Sequence, residues 1–222
     1  MSQANKVTTK NLIMLPALIT LAVTVLRLTG ELMNWSPLLF NKTAGGGGAL
    51  IGISWLVPVF GFYFAYRLMK SDDQPAGAGR VIGFSFLGLA ALVALFALSF
   101  KLPTASLWQF LVMLAATAAG LFLARKGWPS LFSTLVAYGL AARIPVAIVM
   151  LLAIMGNWGT HYDVLPPNFP TTGIGPFAKW VAIGLVPQLT FWIAFTVTIG
   201  SIFGGVAVLV AKRSPALAKA AP

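Results

Sequence analysis

The sequence predicts an all-α, polytopic integral membrane protein: a bundle of six transmembrane helices with both termini in the cytoplasm. Three observations predict this fold class: the composition, the length of the apolar runs and the distribution of basic residues between the loops. Of the 222 residues, 59% are hydrophobic and 9% are charged, and the mean hydropathy is +0.90. A soluble domain carries about 25% charged residues. The composition therefore excludes a soluble enzyme and a disordered chain.

Six apolar runs predict the membrane spans. A helix needs about 20 apolar residues to cross about 30 Å of hydrocarbon. The runs are continuous and show no alternation of polar and apolar residues, which excludes the strands of a membrane barrel. We predict a single membrane domain over residues 1–222, with helices at 12–29, 49–69, 81–100, 106–124, 131–155 and 180–211.

The last of these runs is too long for one straight span. It contains about 32 residues, which as a helix would measure about 48 Å. Pro187 lies early in the run, and proline removes a backbone hydrogen-bond donor. We therefore expect a short interfacial piece, a kink near Pro187 and a membrane span from Gln188 onward.

Basic residues predict the orientation of the chain. With six spans, one side holds ten bases: Lys6, Lys10, Arg67, Lys70, Arg80, Arg125, Lys126, Lys212, Arg213 and Lys219. The other side has the two long loops, 30–48 and 156–179, and holds four: Arg27, Lys42, Lys101 and Lys179. The positive-inside rule then places both termini in the cytoplasm, and this asymmetry is typical of a bacterial cell inner membrane.

Arg143 is the one ionisable residue deep inside a predicted span. A charged side chain at mid-membrane costs about 2.5–3.5 kcal/mol on insertion scales. No acidic residue lies in any predicted span, but Gln188 is expected within reach of Arg143 by its depth along the last helix. Two interpretations stay open. Arg143 is either an internal structural contact between helices, or it binds an anionic or polar ligand, a lipid headgroup or a carboxylate of a partner subunit.

The outer loops hold the other candidate ligand- or partner-binding residues, which are Arg27, Glu31, His161 and Asp163. His161 and Asp163 are two residues apart, so in an extended segment their side chains diverge. We therefore predict no catalytic residue. The chain has no cysteine and one histidine, which excludes a thiolate metal site and a haem held by two histidines. No metal site and no cofactor are predicted.

Small residues recur along the last span. Thr196, Gly200 and Gly204 are spaced by four, and Gly200-x-x-x-Gly204 lets another helix approach closely. The spacing predicts a helix-packing surface. Its partner is either a helix of the same bundle or, alternatively, a second copy or another membrane protein.

These observations predict a non-catalytic multi-pass inner-membrane protein, a subunit or scaffold of a membrane complex with an outward-facing polar site around Arg143. The alternative is a small transporter or channel for an anionic or polar solute, and the second alternative is a lipid-modifying membrane enzyme. The expected partners are the lipid bilayer and a membrane protein or second copy. No nucleic acid is expected, because the bases form no dense patch with interleaved aromatic residues.

Overall fold

The chain is all-helical in the residues that the computed structural model describes, which are 8–103, 106–167, 169 and 173–213. Two of the predicted inner bases, Lys6 and Lys219, lie outside these residues. Eight α-helices are described: α1 (Thr9–Leu32), α2 (Leu56–Met69), α3 (Ala78–Ser99), α4 (Leu107–Gly127), α5 (Pro129–Gly156), α6 (Pro176–Trp180), α7 (Val186–Leu189) and α8 (Phe191–Arg213).

Five helical segments in this part of the chain are long and apolar enough to cross a membrane: Thr9–Leu32, Ala78–Ser99, Leu107–Gly127, Pro129–Gly156 and Pro176–Lys212. The protein is therefore a multi-pass membrane protein. Each of the five overlaps one of the predicted spans. The predicted count of six is not confirmed, because α2 has only 14 residues.

The second predicted span, 49–69, contains a helix only from Leu56 onward. Residues 49–55 form bends and turns. They follow a short 3-10 helix, Ala44–Gly46, and a glycine run in which Gly45, Gly46 and Gly48 have positive φ angles. Such angles are accessible to glycine and unfavourable for other residues. Residues 49–55 are mostly apolar, so their hydropathy is high. Hydropathy alone does not distinguish an apolar helix from an apolar irregular segment. The prediction of a span beginning at residue 49 was wrong in this respect.

The last apolar run is broken into consecutive helical pieces. Helix α6 leads into a π-helical segment, Val181–Leu185, which is followed by α7. At Thr190 the backbone leaves the helical region, with φ −115° and ψ −86°, and α8 begins at the next residue. The break lies three residues beyond Pro187, the position at which the kink was expected. Proline removes a donor and crowds the preceding turn, and the widened π segment directly before it accommodates that crowding.

Helix α8 lies at the centre of the bundle and packs against α2, α3, α4 and α5. Gly61 of α2 lies directly against the backbone of Gly200, and Gly204 faces Ala65 and Leu131. Thr196 is 1% exposed and donates its hydroxyl to the Trp192 carbonyl at 2.8 Å. The small residues of α8 thus face helices of the same chain.

The contact between Gly61 and Gly200 predicts that adding one methyl group at Gly61 destabilises the protein. A Cβ on Gly61 would overlap the backbone of Gly200, so Gly61→Ala must separate α2 from α8. We expect a loss of about 1–3 kcal/mol of stability, as for other overpacked sites. The melting temperature in detergent should fall by several degrees.

Gly83→Ala in α3 is the matched control, because a Cβ at Gly83 meets nothing within 4 Å. Alanine is the better helix former, so this variant should melt at or above the wild-type temperature. Equal melting temperatures for the two variants would contradict the close approach of α2 and α8.

Candidate functional site

Arg143 lies in the interior of the bundle, at the middle of α5. It is 14 residues from Pro129 and 13 from Gly156, or about 20 Å of helix from either end. Only 4% of the residue is exposed. The guanidinium is therefore a buried charge at the depth where burial is most costly.

The contacts of Arg143 satisfy only part of its hydrogen-bonding capacity. Nη1 donates to Oε1 of Gln188 at 3.4 Å, which is long for a hydrogen bond, and Cζ lies 4.4 Å from the centre of the Trp192 ring. The Nε atom is buried and makes no hydrogen bond. In the part of the chain that the structure describes, no carboxylate lies within 4 Å of this guanidinium. A charge-balancing group is thus missing from its surroundings.

The break between α7 and α8 positions both side chains that contact Arg143. Gln188 precedes Thr190, the non-helical residue, and Trp192 follows it. Gln188 also donates to the sulfur of Met150 at 3.6 Å, which holds its amide oxygen towards Arg143. Broken helices beside buried polar groups are the usual construction of solute sites in membrane transporters. The Arg143 site, which comprises Arg143, Gln188 and Trp192, has this construction.

A second cluster lies where α1 ends. Glu31 is fully buried and receives three contacts: Arg27 Nε at 2.8 Å and His161 Nδ1 at 2.5 Å on one carboxylate oxygen, and the His161 backbone N–H at 2.8 Å on the other. Arg27 Nη2 also donates to the carbonyls of Asn41 and Gly46, at 3.1 and 3.0 Å. The outer cluster, defined as Arg27, Glu31 and His161, therefore ties α1 to both long loops.

Local backbone geometry makes the outer cluster possible. Gly46 has φ +70°, and a Cβ there would lie 2.8 Å from His161 Cδ2 and 3.0 Å from Arg27 Nη2. Glycine is therefore required both for the backbone conformation and for the space. Asp163 stabilises the other loop, where it accepts from the Gly159 and Thr160 backbone amides and from the Thr160 hydroxyl.

Burial affects the pKa values of the two neighbouring titratable side chains of this loop, His161 and Tyr162. Burial lowers the pKa of His161 below its ordinary 6.5, although the hydrogen bond to Glu31 acts in the opposite direction. Nearby Arg27 lowers it further. Burial also raises the pKa of the Tyr162 phenol, so this hydroxyl remains a neutral donor at physiological pH.

Hydrogen-bonded polar residues lie in the interior between α1, α5 and the loop that contains His161. The Tyr162 ring packs on the His161 ring with the ring centres 3.8 Å apart, and its hydroxyl lies 3.5 Å from the Thr24 carbonyl. On α5, Tyr138 shares a 2.8 Å hydrogen bond with Thr20. The buried face of α1 is correspondingly polar over two to three turns, with Thr20, Thr24, Arg27 and Glu31 at spacings of four, three and four. We call this series, with Tyr138 and Tyr162, the polar column.

The structure brings the predicted site residues together in two groups. Arg27, Glu31 and His161 form one group, and Arg143 and Gln188 form the other. Asp163 joins neither and binds its own loop instead. Among the described residues, no group of three or more His, Cys, Asp and Glu side chains could hold a metal ion.

Several contacting groups were not predicted. Trp192 follows Gln188 by four residues, and this spacing places both on the stripe of Thr196, Gly200 and Gly204, which was interpreted as a helix-packing surface and not as a contact with Arg143. Arg27 and Glu31 are also four apart, but the predicted helix ended at residue 29 and hid their pairing. Nothing local to the sequence indicates Tyr162 or the Asn41 and Gly46 carbonyls, because these meet the site only through loop folding.

The fold and these two groups define a multi-pass membrane protein with a buried, unbalanced guanidinium beside a broken helix. No protein-family model, no curated protein and no solved structure matches the chain. The particular function is therefore inferred from the geometry alone.

The low pKa of His161 predicts a dependence of stability on pH. Since the unfolded chain binds the imidazole proton more tightly than the folded protein, stability rises with pH through the interval below 6.5 and is lost on acidification. The slope cannot exceed about 1.4 kcal/mol per pH unit for one proton. The melting temperature in detergent should fall between pH 7 and pH 5.

His161→Gln should reduce this slope, because His161 is the one histidine of the chain and other side chains ordinarily titrate outside this interval. Melting curves of both proteins at half-unit steps of pH test this expectation. An unchanged slope in the variant would show that another group causes the acid sensitivity.

Proposed function

We propose that this protein binds a small anionic solute at Arg143 and allows it to cross the membrane, as a small non-catalytic transporter or channel. The observation that carries the proposal is the buried guanidinium, with one long hydrogen bond, an unpartnered Nε and no carboxylate within 4 Å among the described residues. Arginine stays charged at all physiological pH values. An anion is the species that would balance it.

The chemistry of the site favours a planar, singly charged anion. A guanidinium presents parallel N–H groups that match two oxygens of a carboxylate or a similar planar anion. One negative charge neutralises Arg143. The Trp192 ring and Met150 beside it supply apolar surface to the remainder of such a solute.

The polar column supports passage rather than binding alone. It lines the interior between α1 and α5 with buried hydroxyl groups that are hydrogen-bonded to one another and to helix carbonyls. Proton- and sodium-coupled carriers usually have acidic residues at mid-membrane. No acidic residue occurs in α5 or α8, which favours passage of the anion down its own gradient.

A second candidate function is a non-catalytic subunit or scaffold of a membrane complex, in which a partner supplies the carboxylate. One observation favours it: α5, which carries Arg143, also has an exposed apolar stripe at helical spacing formed by Leu140, Ile144, Ile148 and Leu152. Such a stripe can contact either lipid or a partner helix. The lipid-modifying enzyme gains no support from the described contacts of His161, which are its hydrogen bonds to Glu31 and its ring contact with Tyr162.

We also propose that the protein lies in a bacterial inner membrane with both termini in the cytoplasm. The bases of the described loops and helix ends support this orientation. Arg67, Lys70, Arg80, Arg125 and Lys126 all lie at the end of the bundle where α2 and α4 finish and α3 begins. The positive-inside rule assigns this end to the cytoplasm.

Anion passage is testable in liposomes that contain the purified protein and a potassium salt. When valinomycin is added, potassium leaves only as fast as an anion accompanies it, so a potassium electrode reports anion flux. We expect flux with at least one of the chloride, nitrate, formate and glutamate salts. Arg143→Met should reduce that flux at least tenfold, because it removes the charge and keeps a similar volume.

Arg67→Met is the matched control, since Arg67 is exposed and contacts only Tyr63 by its side chain. It should retain wild-type flux. Arg143→Met should melt near the wild-type temperature, because it also removes the cost of an unbalanced charge. Absence of Arg143-dependent flux with all four salts would overturn the transport proposal. Stable co-purification of a second protein, seen by native mass spectrometry, would then support the subunit.

The proposed orientation predicts the accessibility of engineered cysteines. The natural chain has none, so single cysteines can be introduced directly. Ser36→Cys lies in the loop after α1, and Ala76→Cys lies in the loop before α3; both positions are exposed. In intact cells, a membrane-impermeant maleimide should label Ser36→Cys only. Ala76→Cys should react after permeabilisation, and the reverse pattern would contradict the orientation.

A further inference from the structure

A cleft of about 620 Å³ lies at the end of the bundle opposite the outer cluster. It is lined by the loop before α3, the last turns of α4 and the first residues of α5. Because α5 begins at this cleft and ends at the loop that contains His161, the two features lie at opposite ends of that helix. The cleft is therefore separate from the outer cluster and from Arg143.

Three cations line the cleft: Arg80, Arg125 and Lys126. Arg80 is held in place by a hydrogen bond from its Nε to the Lys126 carbonyl at 3.0 Å. Among the described residues, its two terminal nitrogens have no hydrogen-bond partner. Arg125 is exposed, and its side chain makes no hydrogen bond to the described residues. In the described part of the chain, no carboxylate lies within 4 Å of any of the three.

The one acidic residue that lines the cleft, Asp73, is hydrogen-bonded to Trp128 and forms no ion pair with the three cations. Asp73 Oδ1 accepts a hydrogen bond from Trp128 Nε1 at 2.9 Å, and Trp128 is 3% exposed. This bond ties the loop before α3 to the start of α5 and forms one wall of the cleft. With three cations and one acid, the lining carries two net positive charges.

An apolar surface adjoins these charges. The Phe122 ring also lines the cleft and is 60% exposed, and Lys126 Nζ lies 5.1 Å from its centre. Phe122 lies on the last turns of α4, a helix long and apolar enough to cross a membrane. The cleft therefore presents cations and an exposed aromatic ring at the end of a helix that is long and apolar enough to cross a membrane.

We propose that this cleft binds a phosphate group, and that its source is the headgroup of an anionic phospholipid. Guanidinium and ammonium groups are the usual protein ligands of phosphate. Basic pockets between transmembrane helices, on the side that is rich in basic residues, are typical sites of anionic headgroups. The adjoining Phe122 gives a lipid acyl chain an apolar surface, which a soluble phosphate compound would not use.

Native mass spectrometry of the detergent-purified protein tests the proposal, with dioleoyl phosphatidylglycerol and dioleoyl phosphatidylcholine as probes. We expect the wild type to retain phosphatidylglycerol at least fivefold more than phosphatidylcholine. The triple variant Arg80→Gln, Arg125→Gln, Lys126→Gln should lose this preference. The single variant Arg125→Gln should reduce it without affecting folding, because Arg125 is exposed and forms no ion pair with the described residues.

The matched control is Arg67→Gln, Lys70→Gln, Lys212→Gln, which removes three positive charges outside the cleft. It should keep the preference; equal losses in both triple variants would show that net charge alone attracts the lipid and would overturn the proposal. Inorganic phosphate tests whether the cleft binds a soluble phosphate instead of a lipid. One combined result would assign the cleft to a soluble phosphate: 10 mM phosphate raises the melting temperature of the wild type and not that of Arg125→Gln, while the wild type shows no lipid preference.

Retention of phosphatidylglycerol by the cleft variant at the wild-type level would also overturn the proposal. This result does not test the role of Arg143, which lies in another part of the bundle. The flux experiment, in turn, does not test the cleft. The two proposals can therefore fail independently.

Discussion

A guanidinium that cannot lose its charge lies at the middle of a 28-residue helix, and the arrangement around it follows from that constraint. Gln188 and Trp192 reach Arg143 because the last apolar run breaks between them at Thr190. The polar face of α1 lies opposite α5, where an ordinary membrane helix would present apolar residues. The interior of this bundle is thus built around a charge that it balances only in part.

In the outer cluster, by contrast, the charge of Arg27 is balanced by the carboxylate of Glu31. Glu31 receives contacts from Arg27 and from two groups of His161, and the second guanidinium nitrogen of Arg27 is satisfied by two carbonyls. Since breaking a buried ion pair costs about 3–5 kcal/mol, this cluster fixes the loops firmly to α1. Arg143 has no equivalent network. Because of this difference, we interpret Arg27 as a structural residue and propose solute binding for Arg143.

The ends of the bundle also differ in charge. The outer cluster contains its opposite charges in direct contact, whereas the cleft of Arg80, Arg125 and Lys126 presents cations that no carboxylate approaches within 4 Å in the described residues. Unpaired cations at a helix end remain hydrated and available to an anionic surface. The uneven distribution of cations is therefore the basis of both proposals, the orientation of the chain and the binding of a lipid at one edge of the bundle.

Hydropathy alone determined the class of the protein and the positions of five long helices, because the length and apolar character of each run follow directly from the bilayer thickness. The sequence also identified Arg143, since a charge within an apolar run is visible without a structure, and it indicated Gln188 by counting residues along a helix. Only the tertiary structure decided that residues 49–55 are irregular, that α1 extends to Leu32 and that His161 meets Glu31. Those features depend on contacts between residues up to 130 positions apart, and no local pattern encodes them.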